Sequence, residues 1–279
     1  RALKDFRDLQ TSLGIEPLLL AKAKAEVKAR LAEVQGELNK DLAAFYGAKD
    51  IKQFIRTHQP FHWFVEFYSI MKSGGFDVII GNPPYVEYSK VKNEYTIRNY
   101  ETESCANLYA FFFERNAMLV NKNGRSGMII PHSSICTDRM APLQNLFKKA
   151  STSAWVSTYC IRPSKLFVGA DQRLAVYVMQ HDSDMPTLCS SRYHRWNEEL
   201  RPYLFSSIQY VNISNMSYPN SFPKIKSELE SKLWSRLVGF NPLRSLLMPH
   251  NTCTIYYHNS PRYWIRAMTF APYFWNERD

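Results

Sequence analysis

Phe76-Asp77-Val78-Ile79-Ile80-Gly81-Asn82-Pro83-Pro84-Tyr85 is the stretch on which the fold turns. Its first six residues are short, β-branched and apolar on both faces, which predicts a strand buried inside a parallel sheet. Two prolines follow after Asn82, and since neither can donate to a ladder they stop the strand at Gly81. Open α/β sheets bind ligands beyond the carboxyl ends of their strands. Asn82 to Tyr85 therefore stand where a site is expected.

Downstream, a polar loop dotted with tyrosines leads to a predicted helix from Asn107 to Val120, whose apolar residues include Leu108, Phe111, Phe112, Ala117 and Met118. Asn123-Gly124 reads as a turn, and Gly127 to Pro131 as a second buried strand. A helix from about 138 to 149 and strands at Trp155–Ile161 and Leu174–Met179 complete an α/β alternation, the last pair open to an antiparallel arrangement. Upstream, Val27, Leu31, Val34, Leu38, Leu42 and Phe45 recur at steps of three and four, so residues 1 to about 58 read as helix. Pro17 suits a first turn, Gly36 and Gly47 are weak points, and Pro60 ends the region. Expected domains are a helical connector over 1–59, a catalytic half-sheet over 60–185, and a further domain from 186, where periodicity fades.

An exocyclic amine on a nucleobase has two N–H donors. The Asn82 side-chain oxygen and the Pro83 carbonyl, pinned by two rings, are placed to accept both, and Tyr85 offers a flat face for stacking. His132 beside Ser133-Ser134 lacks the Gly-x-Ser-x-Gly elbow of a hydrolase. The histidines lack metal-ligand spacing, and five cysteines, none in a CxxC pattern, indicate neither a zinc site nor a disulfide framework.

Net charge is +10, a balance that favours an anionic partner. Much of it falls late: from Arg192 onward there are 11 Lys plus Arg against 6 Asp plus Glu. The loop from Val86 to Ser104 carries Tyr88, Tyr95, Tyr100, Lys90, Lys92 and Arg98, a composition that suits a DNA clamp as well as a solvated loop. No apolar run reaches the roughly 18 residues of a membrane span and no signal peptide opens the chain, so no membrane partner and a cytoplasmic location are expected.

Phe76 to Tyr85 resembles motif IV of the amino-methyltransferases that use S-adenosylmethionine. Cys105-Ala-Asn107-Leu108-Tyr109-Ala-Phe-Phe112 and Gly127-Met-Ile-Ile-Pro131 resemble the next two motifs of the gamma-class adenine-N6 DNA methyltransferases. Lys165-Leu-Phe167-Val-Gly169, running into Arg173 to Met179, is similar to the motif whose aromatic closes over the target base. The ending Ile255 to Trp264 is similar to stretches in large restriction-modification enzymes of the Eco57I-like type.

The resemblance implies the later half of a Rossmann-like methyltransferase sheet, followed by the start of an α+β target-recognition domain. It implies Asn82, Pro83, Pro84 and Tyr85 as catalytic residues, with Tyr85 and Phe167 against the base. Asp77 and Phe112 are implied as cofactor contacts, Phe112 flanking the cofactor adenine or packing in the core. Double-stranded DNA is the implied partner. Residues 1–75 contain no Gly-x-Gly, so the main S-adenosylmethionine loop is expected on upstream sequence of the same polypeptide, and this chain alone is expected to be inactive. The opening residue, Arg1, also suggests a piece of something longer. Methylation of RNA or of a protein glutamine, and a non-catalytic DNA-recognition module, are the alternatives.

Overall fold

A computed structural model describes residues 2–12, 16–148, 152–181, 185–216, 220–242, 245, 256–257 and 268–269. Six strands form one sheet: β1 (Phe76–Gly81), β2 (Val120–Pro131), β3 (Thr152–Tyr159), β4 (Leu174–His181), β5 (Leu188–His194) and β6 (Val211–Asn212). They lie in the order β1-β2-β4-β3-β5-β6. The β1/β2 and β3/β5 pairs are parallel, and β2/β4, β3/β4 and β5/β6 are antiparallel. The expected α/β architecture is present, with β3 and β4 antiparallel.

Helix α6 (Leu108–Leu119) makes the crossover from β1 to β2 and buries Tyr109, Phe111 and Phe113. Phe113 meets Phe147 of α7 (Ala141–Phe147), their ring centroids 4.4 Å apart, and Phe147 stacks on Tyr177 of β4 at 4.3 Å. Such aromatic pairs add about 0.5–1.5 kcal/mol each beyond the area they bury. Gly74 and Gly75, both at positive φ, turn the chain into β1. A Cβ on Gly75 would lie 2.4 Å from the Leu119 carbonyl oxygen, so this crossing of β1 and β2 requires glycine.

β1 departs from expectation. It forms the edge of the sheet, with Val78 61% and Ile80 80% exposed, instead of being covered on both faces. The apolar pattern is that of an interior strand, but among the described residues only β2 pairs with it. Asn123-Gly124 also differs from its reading as a turn between elements. β2 is continuous from Val120, and Phe76↔Val120 followed by Val78↔Arg125 shows the extra residues bulging out of the ladder. The sheet runs on past residue 185, since β5 pairs with β3 along its length.

Upstream lie α1 (Ala2–Thr11), α2 (Pro17–Phe45) and α3 (Ile51–His58), then two short helices, α4 (Trp63–Glu66) and α5 (Tyr68–Lys72). Pro17 occupies the first turn of α2, Gly36 is absorbed within it, and Gly47 at φ +68° follows its end. Asp50 caps α3 by accepting the Gln53 N–H.

The segment between β1 and α6 is fixed at many points. Buried Glu114 of α6 accepts the backbone N–H groups of Glu101 and Thr102 and the Thr102 hydroxyl. The Tyr88 hydroxyl accepts the Ile97 N–H, and Arg139 makes a bidentate pair with Glu87.

Residues 1–231 form one unit and Lys232–Asp279 another, α8 (Glu228–Val238) running from the first into the second. The second contains the antiparallel pair β7 (Tyr256–Tyr257) and β8 (Met268–Thr269). Apart from Tyr256-Tyr257, the Ile255–Trp264 stretch lies outside the described residues. Among the described residues no helix is long and apolar enough to cross a membrane, and no group of three or more His, Cys, Asp or Glu is placed for a metal ion.

Candidate active site

β1 and β2 run parallel, so Asn82 and Pro131 leave the sheet at the same edge. Asn82 is exposed there, Pro83 is buried, Pro84 is exposed and Tyr85 is half-buried. The Tyr85 hydroxyl lies 2.6 Å from the Asn82 Oδ1 position and 2.9 Å from the Ile129 carbonyl oxygen. The β1 ladder ends at Gly81↔Met128, so Ile129 offers a carbonyl next to the end of the paired edge, and the phenol satisfies it. Burial pushes the Tyr85 pKa up to about 12, which keeps that proton in place at neutral pH. The Tyr85 ring meets Tyr109 edge-to-face at 6.4 Å. Asn82 is thus open to solvent while its amide is tethered through Tyr85 to β2.

Phe167 lies in the loop between β3 and β4, which opens at the same edge: Leu174 pairs with both Pro131 and Tyr159, and the Arg173 carbonyl accepts the His132 N–H at 2.8 Å. The strand order puts the start of β4 two positions from β1, on the order of 10 Å across the sheet. Phe167 is 38% exposed, and Val168 beyond it 94%.

Phe112 lies on the exposed side of α6, nearly one turn beyond Tyr109. It lines a cavity of about 710 Å³ together with Phe45, Tyr46, Trp63, Tyr100 and Arg115. The core alternative for Phe112 does not hold, since the side chain is half exposed. Asp77 is not brought to the Asn82 edge. It is five residues back along β1, roughly 16 Å away, and accepts a hydrogen bond from Asn121.

Residues 13–164 match the model of the Eco57I restriction-modification methylase family. The chain belongs to that family. A Methanocaldococcus jannaschii protein described as a type II restriction enzyme and methyltransferase is 32% identical over 112 residues, covering 40% of this chain and 9% of that protein. The chain therefore spans about a tenth of the relative's length. Among solved structures, the DrdV–DNA complex aligns at TM-score 0.42 and 14% identity, over 53% of this chain and 18% of that one. MmeI in complex with DNA aligns at 0.39 and 17%, over 56% and 20%. At these scores neither alignment bears on function.

The structure places Asn82 to Tyr85 at the carboxyl end of β1, where the sequence pattern puts them, while their fastenings were not visible in the sequence. The carbonyl that anchors Tyr85 belongs to a residue 44 positions away, and Glu87 and Arg139 are 52 apart. Neither spacing carries a local signal. Cys105, Cys136, Cys160 and Cys189 are free thiols.

Proposed function

We propose that this chain carries the target-base half of a DNA adenine-N6 methyltransferase of a restriction-modification system, acting on double-stranded DNA with S-adenosylmethionine. The observation that carries the reading is the exposed Asn82 amide, tethered to Tyr85 at the open edge beside a buried, ring-locked Pro83. A phenol has one proton, and the Ile129 carbonyl can only accept it. Turning the Asn82 amide so that Nδ2–H faces the Tyr85 oxygen satisfies both contacts, and directs Oδ1 into the open site.

Oδ1 and the Pro83 carbonyl then accept the two hydrogens of the adenine amine and draw its nitrogen toward a pyramidal, nucleophilic form. Tyr85 and Phe167 flank the extruded ring, which is read out of the stack because its amine is unreachable inside a duplex. The aromatic cavity around Phe112 suits a planar adenine, which supports Phe112 as a wall for the cofactor. When bound, the cofactor supplies a methyl group from its sulfonium. The glycine-rich loop missing from residues 1–75 and the bare apolar edge of β1 both favour further sequence of the same polypeptide beside β1.

Charge supports the nucleic-acid partner. A small polar cleft lined by Arg192, Ser207, Gln209 and Lys226 offers donors to a backbone phosphate. The test is product analysis: full-length protein is incubated with radiolabelled S-adenosylmethionine and plasmid DNA, and the DNA is hydrolysed to nucleosides. Label in N6-methyladenosine of the deoxy series is expected. Label on cytosine, or on RNA or protein in preference to DNA, overturns the reading.

A further inference from the structure

The loop that presents Phe167 is gripped from downstream by one side chain. Arg201 sits in a 3-10 turn (Glu198–Tyr203) that follows β5, in the region expected from sequence to lie beyond the catalytic sheet. Its guanidinium donates from Nη2 to the Lys165 carbonyl at 2.9 Å and from Nη1 to the Leu166 carbonyl at 3.2 Å. These are the two carbonyls immediately before Phe167. The same group stacks over buried Trp196 at 4.8 Å and pairs through Nε with Glu198 at 2.6 Å. A planar fork engaged on four sides has little freedom, and lysine cannot reproduce that geometry.

Three further contacts hold the stem. Leu166 packs against the buried cluster of Tyr159, Trp196 and Leu204. The Ser164 N–H donates to the Trp196 carbonyl at 3.2 Å, and the Cys160 N–H to the His194 carbonyl at 2.9 Å. At the far side of the loop, Lys165 and Asp171 form an ion pair at 2.7 Å. The loop is thus rigid up to Leu166 and then projects Phe167 and Val168 outward.

We propose that Arg201 is a positioning residue for the target base: it fixes where Phe167 stands, so that the segment after β5 sets the stacking geometry at the open edge. The proposal rests on the reading of Phe167 as a base contact. Arg201 itself touches neither base nor cofactor, and its effect passes through the backbone at 165–166 and the Leu166 anchor.

The experiment measures kcat for methyl transfer and DNA affinity in the full-length protein for Arg201→Ala, Arg201→Lys, Phe167→Ala, Leu166→Ala and the Arg201→Ala/Phe167→Ala double variant, with thermal midpoints for each. Arg201→Ala should lower kcat by roughly ten- to a hundredfold, the range for a base contact misplaced by about an ångström, with DNA affinity within about twofold. Arg201→Lys should fall short of wild type, and Leu166→Ala, which loosens the stem without touching the guanidinium, should lower kcat as well. The double variant should be no slower than Phe167→Ala alone, because both changes act on one contact.

Additive losses, a loss of DNA affinity at constant kcat, or wild-type kcat in either Arg201→Ala or Phe167→Ala overturns the proposal. If Arg201→Ala does not fold, Arg201→Lys and Leu166→Ala decide, and wild-type kcat in both overturns it. Asn82→Ala run alongside separates the two claims: if it is inactive while the Arg201 and Phe167 effects add, only this inference fails.

Discussion

Tyr85→Phe removes one oxygen and leaves the ring. The lost hydroxyl served the Ile129 carbonyl at 2.9 Å and held the Asn82 amide at 2.6 Å. Leaving a partly buried carbonyl unpaired costs about 1–2 kcal/mol, so the thermal midpoint should drop by a few degrees. Asn82 is exposed, and water replaces its lost partner, so its bond contributes little to stability. Its effect falls on catalysis: the side chain regains about three rotamers where one was held, and kcat should fall roughly three- to tenfold. DNA affinity should be unchanged because the stacking face survives. The assay is methyl transfer to DNA under saturating and limiting DNA, paired with thermal unfolding. A loss as deep as that of Asn82→Ala, or an unchanged kcat with an unchanged midpoint, refutes the tether.

Gly75→Ala places a Cβ 2.4 Å from the Leu119 carbonyl at φ +118°, and should cost about 3 kcal/mol or more, read as a lowered urea midpoint. Burial holds His132 and His194 down to a pKa of about 4 from 6.5. The unfolded chain therefore takes up protons below pH 6.5 that the folded chain refuses, so stability is full above that pH and declines between 6.5 and 4. A urea midpoint followed across this window should fall with pH, and less steeply in His194→Gln. Arg192→Ala and Lys226→Ala should each weaken DNA binding regardless of sequence and reduce the slope of log affinity against log salt by roughly one.

Much of the fold was legible because its residues obey simple periods. The β-branched run before Asn82, the helix from Leu108 and the strand at Leu174–His181 all fall close to where their patterns put them. β5 was not legible. Leu188-Cys-Ser-Ser-Arg-Tyr-His194 buries Ser190 and Ser191, so its interior face reads as polar, and the Ser190 hydroxyl finds its acceptor in the distant Pro223 carbonyl. Burial of β1 was overread for a related reason: sequence reports what a strand is suited to pair with, while the strand order decides what it pairs with here. At the candidate site, Asn82 to Tyr85 stood out because prolines after a β-run are unusual. Arg201 was not, since a lone arginine in a polar stretch looks like any solvated charge until its fork meets the carbonyls of 165 and 166.

The most direct test of the central claim is the rate of methyl transfer to DNA by Asn82→Ala in the full-length protein, with DNA binding measured on the same preparation. The account predicts a rate lowered at least a hundredfold, the scale for removing a group that acts in the transition state, and unchanged DNA affinity. Near-normal methylation by that variant would contradict it.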